Sequence, residues 1–418
     1  MALRMVATRP NPALVTLPWS EPLEEWGDDV VVQLPRGISR HVVRIVRLGQ
    51  DVYAVKETRE RFAFGEYRLL RDLVKLGLPT VEPVGVVDGR VDADGTELEP
   101  CLVTRHLSFS LPYRSLFNHG LPPQNMPSLV DALVVLLVRL HLAGFFWGDV
   151  SLSNVLFRRS AGEFSAYLVD AETGELHDVL SDGQRANDLE VAGTNIFGEL
   201  LDLQAGGMLG KEVDAFAIVD TMHERYDDLW AELTRTEEFN TDELWRIEQR
   251  IERLNGLGFD VDELDIVTDW DGSTVRMQPK VVEAGHHRRE LQSLTGLNVE
   301  ENQARRLLND LASFTAHFEL GGEDRSVVAH RWLTQIYEPI AARVPAEMRQ
   351  RLEPPEVFHE ILEHRWYLSE KAGKEVDIFD AARDYMGEVL SQRPDEAITS
   401  GPTTGEMAAI RDAAPGEG

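Results

Sequence analysis

Trp147-Gly148-Asp149-Val150-Ser151-Leu152-Ser153-Asn154, followed by Leu168-Val169-Asp170, is the stretch whose reading decides the fold. It sets an acid, an amide five positions on, and a second acid closing an apolar run. Phosphoryl-transfer sites that hold a nucleophile beside two metal ions use this order. The first Asp accepts or orients the proton of the attacking hydroxyl, and the Asn and second Asp hold Mg²⁺ on the phosphates of ATP. The pattern speaks to reaction class and says much less about the acceptor.

Working outward, the run Leu129 to Phe146 carries apolar side chains on more than one face, as a central buried helix does. With Asp131, Arg139 and His141 inside it, the run is too short and too charged to span a bilayer. A loop between that helix and the strand Val155 to Arg158 is held at both ends, which suits catalytic side chains. Asp170 closes a second strand, and Glu172 just beyond it is a further candidate metal ligand.

Upstream, Val52-Tyr53-Ala54-Val55-Lys56 reads as a strand. In extended chain Val52, Ala54 and Lys56 share a face: a small Ala leaves room for a base, and the ammonium meets phosphates. Lys is rare here, confined to Lys56, Lys75, Lys211, Lys280, Lys371 and Lys374, so a Lys in an apolar strand stands out. Taken alone, it also fits an edge-strand Lys reaching for water. Glu66 to Leu76 reads as an amphipathic helix in which Glu66 shares a stripe with Leu70 and Leu73. A carboxylate on the buried side needs a partner; Lys56 supplies one, with Glu60 as the competing acid for that Lys.

The 418 residues are 43% hydrophobic and 27% charged, the composition of a folded globular chain of two or three domains. A net charge of −30, from 72 acids against 42 bases, argues against nucleic acid and anionic membrane as partners. A single cysteine, Cys101, excludes an intrachain disulfide and a Cys-rich zinc site, and fits a cytoplasmic setting. Arg and Pro interrupt the apolar residues of Met1 to Ser20, which lacks the continuous core of a signal peptide. The chain divides into an extended arm at 1–26, a small antiparallel-sheet lobe at 27–104, a helical lobe at 105–211, a mostly helical unit at 212–394, and a disordered tail rich in Gly, Ala, Pro, Thr and Glu at 395–418. In the fourth unit helices are expected at 241–255, 286–295, 300–318, 326–342 and 355–370, with an Asp-Gly hairpin turn at Trp270-Asp271-Gly272-Ser273.

At this point the chain resembles the protein-kinase-like superfamily over about residues 27–210. Trp147-Gly148-Asp149 resembles the His-Gly-Asp of aminoglycoside phosphotransferases and of lipopolysaccharide (Kdo/WaaP-type) kinases. Tyr53-Ala54-Val55-Lys56-Glu57, Glu66-Tyr67-Arg68-Leu69-Leu70 and Leu362-Glu363-His364-Arg365-Trp366 resemble an actinobacterial family that joins a Kdo/WaaP-like domain to a C-terminal domain of unknown function. The resemblance implies an α+β, bilobal kinase-like fold, with Lys56 and Glu66 as the ATP-orienting pair, Asp149 as base, and Asn154 and Asp170 as Mg²⁺ ligands. Asp188 resembles the buried Asp that anchors the catalytic loop. The pattern departs in places. The phosphate-covering loop Leu34-Pro35-Arg36-Gly37-Ile38-Ser39-Arg40-His41 has one Gly, so phosphate contacts fall to the backbone near Gly37 and to Ser39 or Arg40. Asp170-Ala171-Glu172 replaces Asp-Phe-Gly, and no Ala-Pro-Glu follows. With no peptide-docking segment, a small-molecule, sugar or lipid-linked acceptor is expected.

Three further patterns are weighed. His359-Glu360-Ile361-Leu362-Glu363-His364 looks like a zinc helix, but the second His falls at i+5, off the face of the first; ordinary helix residues, with Trp366 in the core, are expected. His286-His287-Arg288-Arg289 at a helix start reads as an anion site or, more simply, as a capped charged surface; His330-Arg331-Trp332 has the same standing. The unit at 212–394 is open between acceptor recognition, oligomerisation and regulation. An active kinase is the leading reading, a nucleotide-sensing pseudokinase the alternative, and adenylylation a third.

Overall fold

The computed structural model describes residues 3–8, 11–27, 30–32, 41–49, 51–118, 125–240, 245–257, 259–268 and 274–396. Gly37, Ser39, Arg40, the turn at Trp270–Ser273 and the tail beyond Glu396 lie outside them.

In chain order the first lobe has β1 (Arg4–Ala7), β2 (Val43–Leu48), β3 (Asp51–Glu57), α1 (Glu60–Lys75), β4 (Pro83–Asp88) and β5 (Cys101–Arg105). The strands form one antiparallel sheet in the order β1-β4-β5-β3-β2. Register sets Lys56 opposite Leu102 and Ala54 opposite Thr104. The residues expected as an extended arm are instead built into this lobe. β1 adds an edge strand, and Leu14, Trp19, Leu23 and Trp26 pack on Val46, Tyr53 and Val55. Burying two Trp and two Leu outweighs the entropy of an unstructured arm. Arg90 ties them down, donating to the carbonyls of Trp19, Glu21 and Glu99 and to Glu57 Oε1. α1 starts six residues earlier than the sequence stripe indicated, at Glu60, and buries Ala63, Glu66, Tyr67, Leu70 and Leu73 on one face.

The second lobe follows: β6 (Ser110–Pro112), α2 (Tyr113–Asn118), α3 (Met126–Leu142), β7 (Phe145–Phe146), β8 (Val155–Ser160), β9 (Glu163–Leu168), β10 (Glu175–Leu176), α4 (Asp182–Ala205) and α5 (Ala215–Thr234). α3 is the buried axis, with Leu129, Leu133, Leu136, Leu137 and Leu140 all enclosed. The β8–β9 hairpin lies across it, paired on its outer side with β6. α4 begins in a capping box, Ser181 with Gln184, which satisfies orphan N–H groups at its first turn. Its buried stripe is Ala192, Ile196, Leu200 and Leu203, while Phe197 and Leu201 are exposed.

The rest is β11 (Glu237–Asn240), α6 (Trp245–Gly256), β12 (Phe259–Thr268), β13 (Thr274–Ala284), α7 (His286–Thr295), α8 (Glu301–His317), α9 (Arg325–Trp332), α10 (Glu338–Arg343), α11 (Pro354–Ala372) and α12 (Ile378–Glu388). β12 and β13 are the antiparallel arms on either side of the expected hairpin turn, and β11, a strand not expected from the sequence, pairs with β13 to make a three-stranded sheet. The second lobe's core takes in Met222, Tyr226 and Leu233 of α5, then Leu254 and Phe259. A separate core begins at Leu291 and is built by α7 to α12 around Trp332, Tyr337 and Phe358. The expected 326–342 helix is broken by a π turn at Leu333–Tyr337, next to Pro339, whose missing N–H disrupts the ladder. Trp366, expected in the core, is 65% exposed, because the buried stripe of α11 runs through Val357, Phe358 and Ile361.

Candidate active site

β3 and α1 bring Lys56 and Glu66 together between the lobes. Lys56 Nζ donates to Glu66 Oε2 at 3.0 Å and to Asp170 Oδ2 at 2.9 Å, and lies 3.3 Å from Glu172 Oε2. Glu60, the competing acid, is not the partner found. Glu66 is 2% exposed, and its other oxygen accepts the Ala171 N–H. Burial works against the Lys56 charge, but the Glu66 and Asp170 carboxylates outweigh it and hold the ammonium above its ordinary range. Burial pushes Glu66 up to about 7, against the pull of Lys56. Glu172 also faces His41, at 3.0 Å, and accepts from the Thr58 hydroxyl. His41 is thus the one described residue of the expected phosphate-loop stretch, and it reaches the acids.

Across the gap, Asp149 to Asn154 forms a tight loop. Gly148 sits at φ 78°, a left-handed conformation that a side chain disfavours. Asn154 Nδ2 donates to the Asp149 carbonyl at 2.9 Å and to Asp149 Oδ2 at 3.3 Å. Asp188, fully enclosed, accepts from the N–H groups of Trp147 and Gly148 at 2.8 and 2.7 Å and meets His141 Nε2 at 3.1 Å. Trp147 Nε1 donates to the Asp170 carbonyl, so one loop braces the other.

Two residues that the sequence reading missed complete the loop's support. Glu199 accepts from the N–H groups of Leu152 and Ser153 and from the Ser153 hydroxyl; burial raises its carboxyl above the ordinary range. Asn195 donates to Asp149 Oδ1 at 3.3 Å and to the Val150 carbonyl. The signal was there: Asp188, Asn195 and Glu199 lie at i, i+7 and i+11 on α4, one polar stripe beside the apolar one.

Lys56, Ala54, Glu66, Asp149, Asn154, Asp170 and Glu172 all line one cavity of about 950 Å³. Its apolar walls include Val43, Leu102, Leu156 and Val169. Glu66, Asp170 and Glu172 offer carboxylate oxygens all within 4.8 Å of one another. An all-oxygen set of this kind, with the Asn154 amide nearby, fits Mg²⁺ rather than a softer metal.

Residues 38–192 match the model of the lipopolysaccharide kinase (Kdo/WaaP) family. This segment is Kdo/WaaP-like. Residues 228–390 match a domain of unknown function, DUF4032, so the chain joins the two. No curated protein matches. A solved structure of WaaP in complex with acyl carrier protein is similar at 18% identity, covering 54% of this chain and 99% of that one, with a TM-score of 0.33.

The remaining patterns find partners within the chain. Glu301 accepts from the N–H groups of His287 and Arg288, so a carboxylate of the chain itself fills the anion position at the start of α7. His359 Nε2 lies 3.4 Å from Glu363, and His364 meets Asp384 at 2.6 Å. Trp332 of the third pattern is buried and donates to Asp310. Among the described residues no helix is long and apolar enough to cross a membrane.

Proposed function

We propose that this protein is an ATP- and Mg²⁺-dependent phosphotransferase of the Kdo/WaaP-like type, cytoplasmic, moving the γ-phosphoryl group to a hydroxyl of a non-peptide acceptor. One observation carries the reading: Lys56, Glu66 and Asp170 converge on one wall of the cavity, and Asp149 with Asn154 faces the same space.

In this reading Ala54, Leu102, Leu156 and Val169 enclose the base, and Lys56 binds phosphate oxygens. Asp170 and the Asn154 oxygen, with Glu172 adjacent, would hold Mg²⁺, which when bound would supply charge neutralisation for the phosphates. The Asn154 nitrogen is committed to Asp149, which leaves its oxygen for that task. Asp149, oriented by Asn154 and Asn195, accepts the proton of the acceptor hydroxyl. The oxygen–phosphorus bond forms as the bond from the γ-phosphorus to the bridging oxygen breaks, and ADP leaves. Orientation and fixed charge supply the acceleration.

The test is nucleotide binding and turnover with and without Mg²⁺, for wild type beside Asp149→Ala and Asp170→Ala. Wild type is expected to bind Mg·ATP and turn it over slowly, with both variants losing turnover. Equal binding in all three without any turnover favours a nucleotide sensor, and absence of binding sinks the proposal.

A further inference from the structure

The β8–β9 hairpin ties the two proposed metal-holding residues together. Asn154 directly precedes β8 and Asp170 follows β9 by two residues. At the hairpin's base the Val169 N–H donates to the Asn154 carbonyl at 3.1 Å. The other end is not free. Its turn, Ala161-Gly162, has both residues at positive φ, which turns their N–H groups outward together.

Glu356 of α11, only 3% exposed, meets that turn. It accepts from Ala161 N at 2.9 Å and Gly162 N at 3.4 Å, and from Gln303 Nε2 at 2.8 Å. Gln303 in turn donates to the Arg159 carbonyl. Glu300 accepts from Arg158 and from the Tyr167 hydroxyl, and Arg158 also pairs with Glu353. Glu396 takes Arg159 Nε on both oxygens, at 2.8 and 3.1 Å, and it and Asp395 line the same cavity as Lys56. Glu300, Gln303, Glu356 and Glu396 are all buried. Buried carboxylates are kept only where they are paired this fully, and a one-residue slip at the turn would orphan all of them.

We infer that the C-terminal helical unit is part of the catalytic machinery: Glu356 is a positioning residue that, by holding the hairpin turn, sets Asn154 and Asp170 for metal. This rests on the phosphotransfer reading for its chemistry, though not for its mechanics.

The experiment uses the full chain with Glu356→Ala and Glu356→Gln, and with Arg383→Ala, an exposed change on α12, as control. Hydrogen exchange of peptides covering 150–156 and 168–172 reads the hairpin base without any ligand. Binding of a fluorescent ATP analogue with and without Mg²⁺ reads the metal-dependent part. Exchange at the base is expected to rise in Glu356→Ala. The Mg²⁺-dependent gain in affinity is expected to fall about 10-fold, metal-free binding to stay within twofold, and Glu356→Gln to lie between. Should Glu356→Ala fail to fold, Glu300→Gln, which keeps an acceptor for Tyr167, takes its place. Exchange confined to 158–165 with an unaltered base overturns the inference even if the protein binds no ATP. An equal loss of metal-free and Mg²⁺-dependent affinity overturns it as well, by showing general loosening. A wild type that binds no nucleotide refutes the phosphotransfer reading and leaves the exchange arm to decide this one.

Discussion

Lys56 and Asp170 stand 114 positions apart and meet at 2.9 Å, with Glu66 closing the third side at 3.0 Å. The contact joins a strand of the first lobe to the loop after β9 in the second, so an ion pair spans the lobes. An ammonium among carboxylates here is neutralised at a fixed point, which also makes each partner dependent on the others.

That dependence gives the first prediction. Lys56→Met leaves Glu66 buried beside Asp170 and Glu172 without a counter-charge. It is expected to cost about 3–5 kcal/mol of stability at neutral pH as well as nucleotide affinity. Adding Glu66→Gln removes the orphaned acid, so the double variant recovers most of the stability and none of the turnover. Thermal denaturation beside an ATPase assay separates the two effects. A double variant no more stable than Lys56→Met would refute the pairing.

A second prediction concerns pH. Glu66 is raised to about 7, above the ordinary Glu value, so between that value and about 7 the folded state holds a proton that the unfolded state has released. The sign follows: this group's contribution to stability declines as pH rises through that window and is flat above it. The Glu66→Gln variant lacks the contribution. The wild-type minus variant difference in unfolding free energy, measured by denaturant titration from pH 4.5 to 8, should fall with pH and level off near 7. A difference that rises with pH contradicts the assignment.

Asp188 yields a third. Its two oxygens take the N–H groups of Trp147 and Gly148, and His141, whose own pKa burial lowers, meets the oxygen that takes Trp147. Asp188→Asn sets an amide NH₂ against one of those donors. Turnover is expected to drop about 100-fold, an effect of loop geometry worth roughly 3 kcal/mol, with ATP affinity within a few-fold of wild type. Equal losses in binding and turnover would instead mean that the loop anchor supports the whole cleft.

Much of this site was legible in the chain because its chemistry is local in sequence. Asp149 to Asn154 lies in one loop, and Lys56 and Glu66 each stood out against the apolar period of their own element. What escaped was long-range. Glu199 and Asn195 share a polar stripe with Asp188, but which loop that stripe faces is decided only once α4 is packed. Likewise the first 26 residues have no period, yet their Trp and Leu side chains find a core 20 or more positions downstream, and Arg90 clamps them there. Trp366 and Phe197 went the other way: apolar residues at plausible spacing that packing left outside.

Glu199 carries the last prediction. Three donors from Leu152 and Ser153 end on its carboxylate, and burial raises its pKa above the usual Glu range. On acidification it therefore gains a proton earlier than an exposed Glu, and an acid so protonated gives up part of its capacity to accept those N–H groups. Wild-type kcat should show an acid limb that sits above the ordinary carboxylate range. Glu199→Gln, which accepts through one oxygen only, should lower kcat by about 10-fold, roughly 1.4 kcal/mol, and remove that limb while leaving KM for ATP within twofold. A kcat profile with the same acid limb in the variant would assign the limb to another group.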